Sequence, residues 1–453
     1  MTTQQSSLLH SYGEARLPRY TSYPTAPLFS PAIGADTHAD WLAQADPAAP
    51  ASLYFHIPFC RSMCWYCGCH TTISARDEPI QAYLAALRAE IGTVAARLPG
   101  RQRVGHVHFG GGTPTIIPPE DFTELMARIR RHFDIAPGAE LAIEIDPRRL
   151  DPAMLDALAA GGINRASLGV QTFDPRVQLA INRVQPLKDT AAVVAGLRRA
   201  GVAQVNFDLI YGLPHQTVAS CIDTVEKAVA LRPDRLAVFG YAHVPDFKKH
   251  QRLIDGDALP GSAARVEQAT AIAGALTAAG YVQIGLDHFA LPGDPLALAQ
   301  AEGRLRRNFQ GYTTDACETL IGFGASAIGH TPQGYVQNDV AINRYARAVL
   351  EGGLATARGY RLTQDDRLRA AVIERLMCDF AVDLPAICDR FGADPATLTE
   401  GNPRLARALA EGLAEMENGR LRMLGELRFL VRVVAAAFDA HLEAAPRRFA
   451  QTA

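Results

Sequence analysis

Four of the chain's eight cysteines crowd together as Cys60, Cys64, Cys67 and Cys69, within the segment FHIPFCRSMCWYCGC (55–69). The other four (Cys221, Cys317, Cys378 and Cys388) are scattered and read as small core residues. A secreted disulfide framework spreads its cysteines along a short chain, whereas a tight cluster points to a metal or redox site. The first three cysteines have the spacing C-x3-C-x2-C, which is not the run used by bacterial ferredoxins. Structural zinc would need further ligands paired at a distance, such as a second CxxC or an HxxxH, and none is evident. Three thiolates on one short loop can instead ligate three irons of a 4Fe–4S cubane. That leaves the fourth iron open to an outside ligand, as catalysis requires and simple electron transfer does not. Zinc, or a chance gathering of core cysteines, are the alternatives.

Other residues with chemical potential recur at the ends of short apolar runs. The runs are Leu53–Ile57, Val104–Phe109, Leu141–Ile145, Ala166–Val170, Val205–Ile210 and Leu236–Phe239. The first leads into the cysteines and the second into Gly110-Gly111-Gly112-Thr113. Glu144 lies in the third, Gln171 follows the fourth, Asp208 lies near the end of the fifth, and Tyr241-Ala242-His243 follows the sixth. Between the runs stand amphipathic stretches such as IQAYLAALRAEIGTVAARL, FTELMARIRRHF and AAVVAGLRRAG. Continuous apolar strands alternating with helices predict βα units on a parallel sheet. Six in succession predict an open or partial (β/α) barrel, with a seventh strand near Tyr281–Leu286 extending it. Parallel barrels gather their sites at the carboxyl ends of the strands, where these polar residues fall.

The remaining segments are read more simply. Residues 1 to about 45 lack lasting periodicity and carry the string PRYTSYPT (18–25); without further information they read as an extended leader. From about 360 the segments DDRLRAAVIERLMCDFAV, NPRLARALAEGLAEMENG and LRFLVRVVAAAFDAHL predict a mostly helical domain, with a strand-like piece at Arg420–Leu424. Composition narrows the function classes. The 453 residues are 48% hydrophobic and 20% charged, which excludes disordered and collagen-like chains. A net charge of −2 supplies no basic field for nucleic acid. Charges interrupt the longest apolar runs, so no membrane span is expected. The start has no charged n-region followed by an apolar h-region, and a cytoplasmic protein is expected.

C-x3-C-x2-C after the first strand of a partial barrel resembles the signature of the radical S-adenosylmethionine (SAM) superfamily. The strings PRYTSYPTA, FHIPFCRSMCWYCGC, HFGGGTPT, EIDPR, SLGVQTFD, NFDLIYGLP, YAHVP and RNFQGYTT resemble, more narrowly, the family of oxygen-independent coproporphyrinogen III oxidases. Cys69 and the RYTSYPT arm favour that family over the related heme chaperones, which remain the alternative reading, as does a plain electron-transfer protein. The resemblance implies a partial (β/α)6 radical-SAM barrel with an N-terminal arm (1–45). It further implies a barrel over 46–290, a connector completing the site over 291–359, and a mostly helical C-terminal domain over 360–453.

By the same resemblance, Cys60, Cys64 and Cys67 would hold a 4Fe–4S cluster. Tyr54, Gly111, Glu144, Ala242 and Ile328 would surround one SAM, and Tyr66, Gly112, Thr113, Gln171, Arg183 and Asp208 a second. The glycines would let the backbone approach the SAM amino group. Glu144 and Asp208 can accept bonds from ammonium or hydroxyl groups, and Arg183 can pair with a carboxylate, its plain alternative being a surface salt bridge. His56 and His108 are expected only to pack or bond locally. The implied reaction converts the ring A and B propionates of coproporphyrinogen III to vinyl groups. An electron donor, an electron acceptor and a monomeric chain are implied with it. The basic residues are nearly all Arg, which suits carboxylate recognition, and Arg19 in the arm is a candidate for substrate contact.

Overall fold

The computed structural model describes Leu8, Tyr12 and residues 16–443. The leading residues on which the targeting expectation rests lie mostly outside these. Each of the six apolar runs is a strand: β1 (Ala51–Ile57), β2 (Arg103–Gly111), β3 (Asp134–Ile145), β4 (Arg165–Gln171), β5 (Gln204–Tyr211) and β6 (Arg235–Gly240). They lie parallel and side by side in chain order. Helices follow as expected: α1 (Glu78–Ala95), α2 (Pro119–His132), α3 (Pro152–Ala160), α4 (Leu187–Arg199), α5 (Val218–Ala230) and α6 (Ser262–Ala278). In α2, Phe122, Leu125, Met126 and Ile129 form one buried stripe. Its first turn carries Glu120 and Asp121 and its last Arg130, Arg131 and His132, matching the helix dipole at both ends.

Two features at the edges depart from the sequence reading. The stretch near Tyr281–Leu286 does extend the sheet, but β7 (Val282–Ile284) and β8 (His288–Ala290) form an antiparallel hairpin against β6. On the opposite side, β9 (Thr319–Phe323) pairs parallel with β1, a seventh parallel strand supplied from far along the chain. Antiparallel β10 (Ile328–Thr331), β11 (Gly334–Asn338) and β12 (Thr356–Arg361) continue from it. The finished order is β12-β11-β10-β9-β1-β2-β3-β4-β5-β6-β8-β7, an open sheet.

Register aligns side chains across the strands. Phe55 of β1 stands opposite Phe109 of β2 and Phe323 of β9. Their rings stack at centroid distances of 5.0 and 4.8 Å under the helices. Because side chains alternate along a strand, the neighbours Tyr54, His108, Glu144 and Asp208 point to the other face, where the site forms.

The C-terminal region is less helical than its sequence suggests. Helix Gln364–Asp379 is as expected, but the second half of NPRLARALAEGLAEMENG is the strand Ala414–Glu417. This strand pairs with Arg420–Met423, which also pairs with Ala381–Asp383. The sequence around Glu417, Asn418 and Gly419 is a turn between two strands, with positive φ at Asn418 and Gly419. The leader reading of the arm is overturned as well. Tyr20 and Tyr23 are buried within the C-terminal apolar cluster. The Tyr20 hydroxyl donates to Asp439 at 3.0 Å, and the Ala440 N–H donates to the Tyr23 hydroxyl at 2.9 Å.

Candidate active site

The cysteine loop leaves β1 through Phe59–Cys60, which pairs with Thr72–Ile73, so the residues between are closed at both ends. Side chains from elsewhere then grip its backbone. Gln251 donates to the Tyr66 carbonyl at 3.0 Å and Lys248 to that of Cys69 at 2.9 Å, and His250 lies 2.7 Å from that of Cys67. Asn182 donates to the Met63 carbonyl at 2.8 Å. None of these four residues was picked out in the sequence, because main-chain carbonyls leave no signature in it.

The sulfurs face hydrogen-bond donors. Cys60 lies 3.3 Å from the Thr113 hydroxyl and 3.4 Å from that of Thr71. Cys64 is buried and meets guanidinium N–H groups of Arg148 and Arg183, each at 3.5 Å. A hydrogen bond with Cys69, together with the His250 and Lys248 charges, favours the Cys67 thiolate. Metals and clusters require thiolates, so this donor set fits an iron–sulfur cluster on Cys60, Cys64 and Cys67. Among the described residues, no three His, Cys, Asp or Glu side chains converge on a single-ion position. Structural zinc needs such convergence, whereas a cubane takes its thiolates on separate irons.

Asp146 and Arg148, from the EIDPR string, complete this corner. Arg148 donates to Asp146 at 2.6 Å, and Arg183 stands 3.4 Å from the same carboxylate. Arg183 is buried and so forms no surface salt bridge. Burial works against its cation, yet Tyr66, Asp146 and Cys64 outweigh burial and raise its pKa. Gln171 adopts a φ of +67° beside it, and an added Cβ on Gly169 would come within 2.9 Å of Gln171 and 3.1 Å of Arg183.

The glycine string has a second reason for its composition. Gly111 has φ of +119°, and a Cβ there would sit 2.8 Å from the His56 ring; at Gly112 it would sit 2.6 Å from the Phe59 carbonyl. The glycines therefore let β2 end against the cysteine loop itself. The Gly111 N–H is taken by Glu144 at 3.0 Å, so that amide already has an acceptor. Glu144 also lies 3.4 Å from His108, on whose ring Tyr54 stacks at 5.8 Å. Tyr54 bonds His56 at 2.9 Å, a local role for both histidines.

Asp208 is the most perturbed carboxyl on this face. Burial, then the Glu144 charge, push its pKa up to about 6, against hydrogen bonds from Ser167 and Asn206 at 3.0 Å each. Ser167 and Asn206 went unremarked in the sequence, although Asn206 lies two residues before Asp208 and so on the same face of β5. A cavity of about 210 Å³ opens here, lined in part by His108, Glu144, Ser167, Asn206, Asp208 and Phe239. Ala242 and Tyr66 are joined through Gln251, which lies 3.3 Å from the Ala242 carbonyl. The Ile328 carbonyl faces Gly322, which stands opposite Tyr54 in register. Gly111, Glu144 and Gln171 thus stand at or beside the carboxyl ends of β2, β3 and β4, Tyr54 and Asp208 lie within β1 and β5, and Ile328 begins antiparallel β10.

An open (β/α)6 sheet with a three-thiol loop after its first strand defines a radical SAM enzyme, and residues 54–228 match the profile of the Radical SAM superfamily. Residues 362–424 match that of the HemN C-terminal domain. The chain is 61% identical to the oxygen-independent coproporphyrinogen III oxidase of Bradyrhizobium diazoefficiens, over 97% of this chain and 98% of that one. Identity to the enzyme of the same name from Pseudomonas aeruginosa is 42%, over 95% of each. The solved coproporphyrinogen III oxidase of Escherichia coli, described as a radical SAM enzyme, superposes with a TM-score of 0.90 at 38% identity. The match covers 94% of this chain and 100% of that one. The chain belongs to the family of oxygen-independent coproporphyrinogen III oxidases. No helix among the described residues is long and apolar enough to cross a membrane.

Proposed function

We propose that the chain oxidatively decarboxylates the ring A and ring B propionates of coproporphyrinogen III without oxygen, giving protoporphyrinogen IX in heme biosynthesis. The carrying observation is a radical-SAM cysteine loop set against buried Arg183 and half-buried Glu144 and Asp208, in a chain alike over nearly its whole length to enzymes of that name. When bound, a 4Fe–4S cluster and SAM supply a 5′-deoxyadenosyl radical that can take one hydrogen from a propionate β-carbon, after which CO2 and one electron leave and the vinyl remains.

The chain's own residues hold and shield these groups. Cys60, Cys64 and Cys67 hold the cluster, with Thr113, Thr71, Arg148 and Arg183 bonding their sulfurs. Tyr54, Gly111, Glu144, Ala242 and Ile328 surround one SAM, where Glu144 can accept from an ammonium. A second SAM lies against Tyr66, Gly112, Thr113, Gln171, Arg183 and Asp208, and Arg183 offers its carboxylate a buried cation. The enzyme works as a cytoplasmic monomer with separate electron donor and acceptor. Residues 1–45 serve as an arm, 46–290 as the barrel, 291–359 as a connector and 360–453 as a covering domain.

The test is anaerobic. Protein reconstituted with iron and sulfide receives dithionite, SAM, coproporphyrinogen III and cell extract as a source of acceptor. Mass spectrometry then follows porphyrin and 5′-deoxyadenosine. Two successive losses of propionate-derived CO2, tied to deoxyadenosine formation, are expected. Deoxyadenosine with unchanged porphyrinogen would overturn the reading, and stable heme binding without SAM cleavage would replace it with a chaperone.

A further inference from the structure

A second group of cations stands apart from the cysteine loop. Arg265, on α6, lies against the carboxyl ends of β5 and β6. An added Cβ at Gly212 or Gly240 would come within 3.3 or 3.2 Å of its guanidinium, so these glycines of YGLP and FGYAHVP make room for it. Its guanidinium carbon is 6.0 Å from the Tyr211 ring centroid. Arg307, on the short strand Arg306–Asn308, lies 4.4 Å over the Tyr312 ring. Arg265 Nε and Arg307 Nε and Nη1 are buried without a hydrogen-bond acceptor.

Two more arginines bear on the same place from opposite ends of the chain. Arg19, in the arm, lies within electrostatic reach of Arg265, Arg432 and Asp287. Arg432, in the helix Val431–Ala435, has its pKa pushed down to about 10, by burial first and then by the Arg19 charge. The acid near Arg19, Arg307 and Arg432 is Asp287, already bonded to His288 at 2.7 Å. A buried N–H without an acceptor is costly, and so is crowding of like charge in low dielectric. Carboxylate guests relieve both, and a stacked guanidinium is held ready to grip one with two parallel bonds.

We propose that Arg265 and Arg307, reinforced by Arg19 and Arg432, bind the propionate carboxylates of the substrate that the reaction leaves intact. This rests on the coproporphyrinogen reading above. The cysteine sulfurs face Thr113, Arg148 and Arg183, so a carboxylate held at Arg265 and Arg307 is not the one beside the cluster. Barrel, arm and C-terminal domain each contribute a cation, which gives the two flanking segments a part in holding substrate.

Arg265→Gln, Arg307→Gln and a surface control, Arg304→Gln, are compared with wild type after anaerobic reconstitution; Arg304 pairs with Glu302, outside this group. KM for coproporphyrinogen III rises on the order of tenfold in each of the first two, with a smaller change in kcat, and stays at the wild-type value in the control. Fluorescence titration with coproporphyrin III weakens by the same factor, whereas its tetramethyl ester binds wild type and variants equally weakly. Arg265→Lys recovers part of the affinity, since it keeps the charge without the fork. Cluster absorption and melting temperature identify misfolding; should Arg307→Gln misfold, the Arg265 pair decides the question. Unchanged KM and affinity in folded variants overturn this assignment and leave the decarboxylase reading standing. Wild type that neither binds coproporphyrin III nor converts coproporphyrinogen III overturns that reading, and this ligand with it.

Discussion

Asp208 is a carboxyl that the fold prefers to keep protonated. Its folded pKa of about 6 lies above the ordinary value of 3.8. It therefore adds stability below about pH 4 and loses that contribution as pH rises through 6. Asp208→Asn keeps a neutral group there at every pH. A tenfold change in proton affinity is worth about 1.4 kcal/mol, so the variant should gain on wild type by up to about 3 kcal/mol more at pH 7 than at pH 4. Denaturant unfolding of the cluster-free protein at the two pH values measures this, and an equal difference at both would remove the coupling. At this scale the sequence was legible wherever a side chain acts on a neighbouring strand end. Glu144 and Asp208 follow from strand position, whereas Tyr54 came only through the family resemblance. Lys248, His250 and Gln251 do not, because they hold backbone carbonyls of a loop nearly two hundred positions away.

Between elements, Glu90 ties α1 to the segments beyond β9. Fully buried, it accepts from the Gly324 N–H at 2.7 Å, the Tyr345 hydroxyl at 2.7 Å and the Asn338 amide at 2.6 Å. Burial pushes its pKa up to about 7. Glu90→Ala removes an acceptor from three buried donors, although the Asn338 amide keeps the Gly324 carbonyl at 3.0 Å, so thermal unfolding should show a loss of about 3 kcal/mol or more. A loss under about 1 kcal/mol would mean that water replaces the carboxylate. Helical spacing puts position 90 on the inward stripe with Tyr83, Leu87 and Val94, but nothing in IQAYLAALRAEIGTVAARL shows why an acid stands there, since its partners belong to turns and strands formed much later. The six βα units were legible because their strands are largely apolar runs set between amphipathic helical stretches. Strands β9 to β12 were not, because TLIGF and IGHT are short and glycine-bearing, and their neighbours are set by pairing rather than by adjacency in the chain.

Across the whole molecule, the N-terminal arm packs on the C-terminal domain. Tyr20 and Tyr23 belong to the C-terminal apolar cluster, so the arm is part of that domain's core. Tyr23→Ala removes a buried ring and a partner for Ala440, and should cost about 3 kcal/mol in denaturant unfolding. An unaltered midpoint would show that the arm contributes nothing to that core. The string PRYTSYPT could not disclose this by periodicity, because its anchoring comes from Asp439 and Ala440 at the opposite end. The position of β9 has its own bearing on how the protein is made. Phe323 must leave the ribosome before the strand bearing the cysteine loop is flanked on both sides. A nascent chain that stalls between β6 and β9 presents that strand's bare edge to other copies, an invitation to aggregate. Vectorial synthesis therefore cannot complete this sheet from its N-terminal end, and a premature stop between β6 and β9 damages the region encoded first.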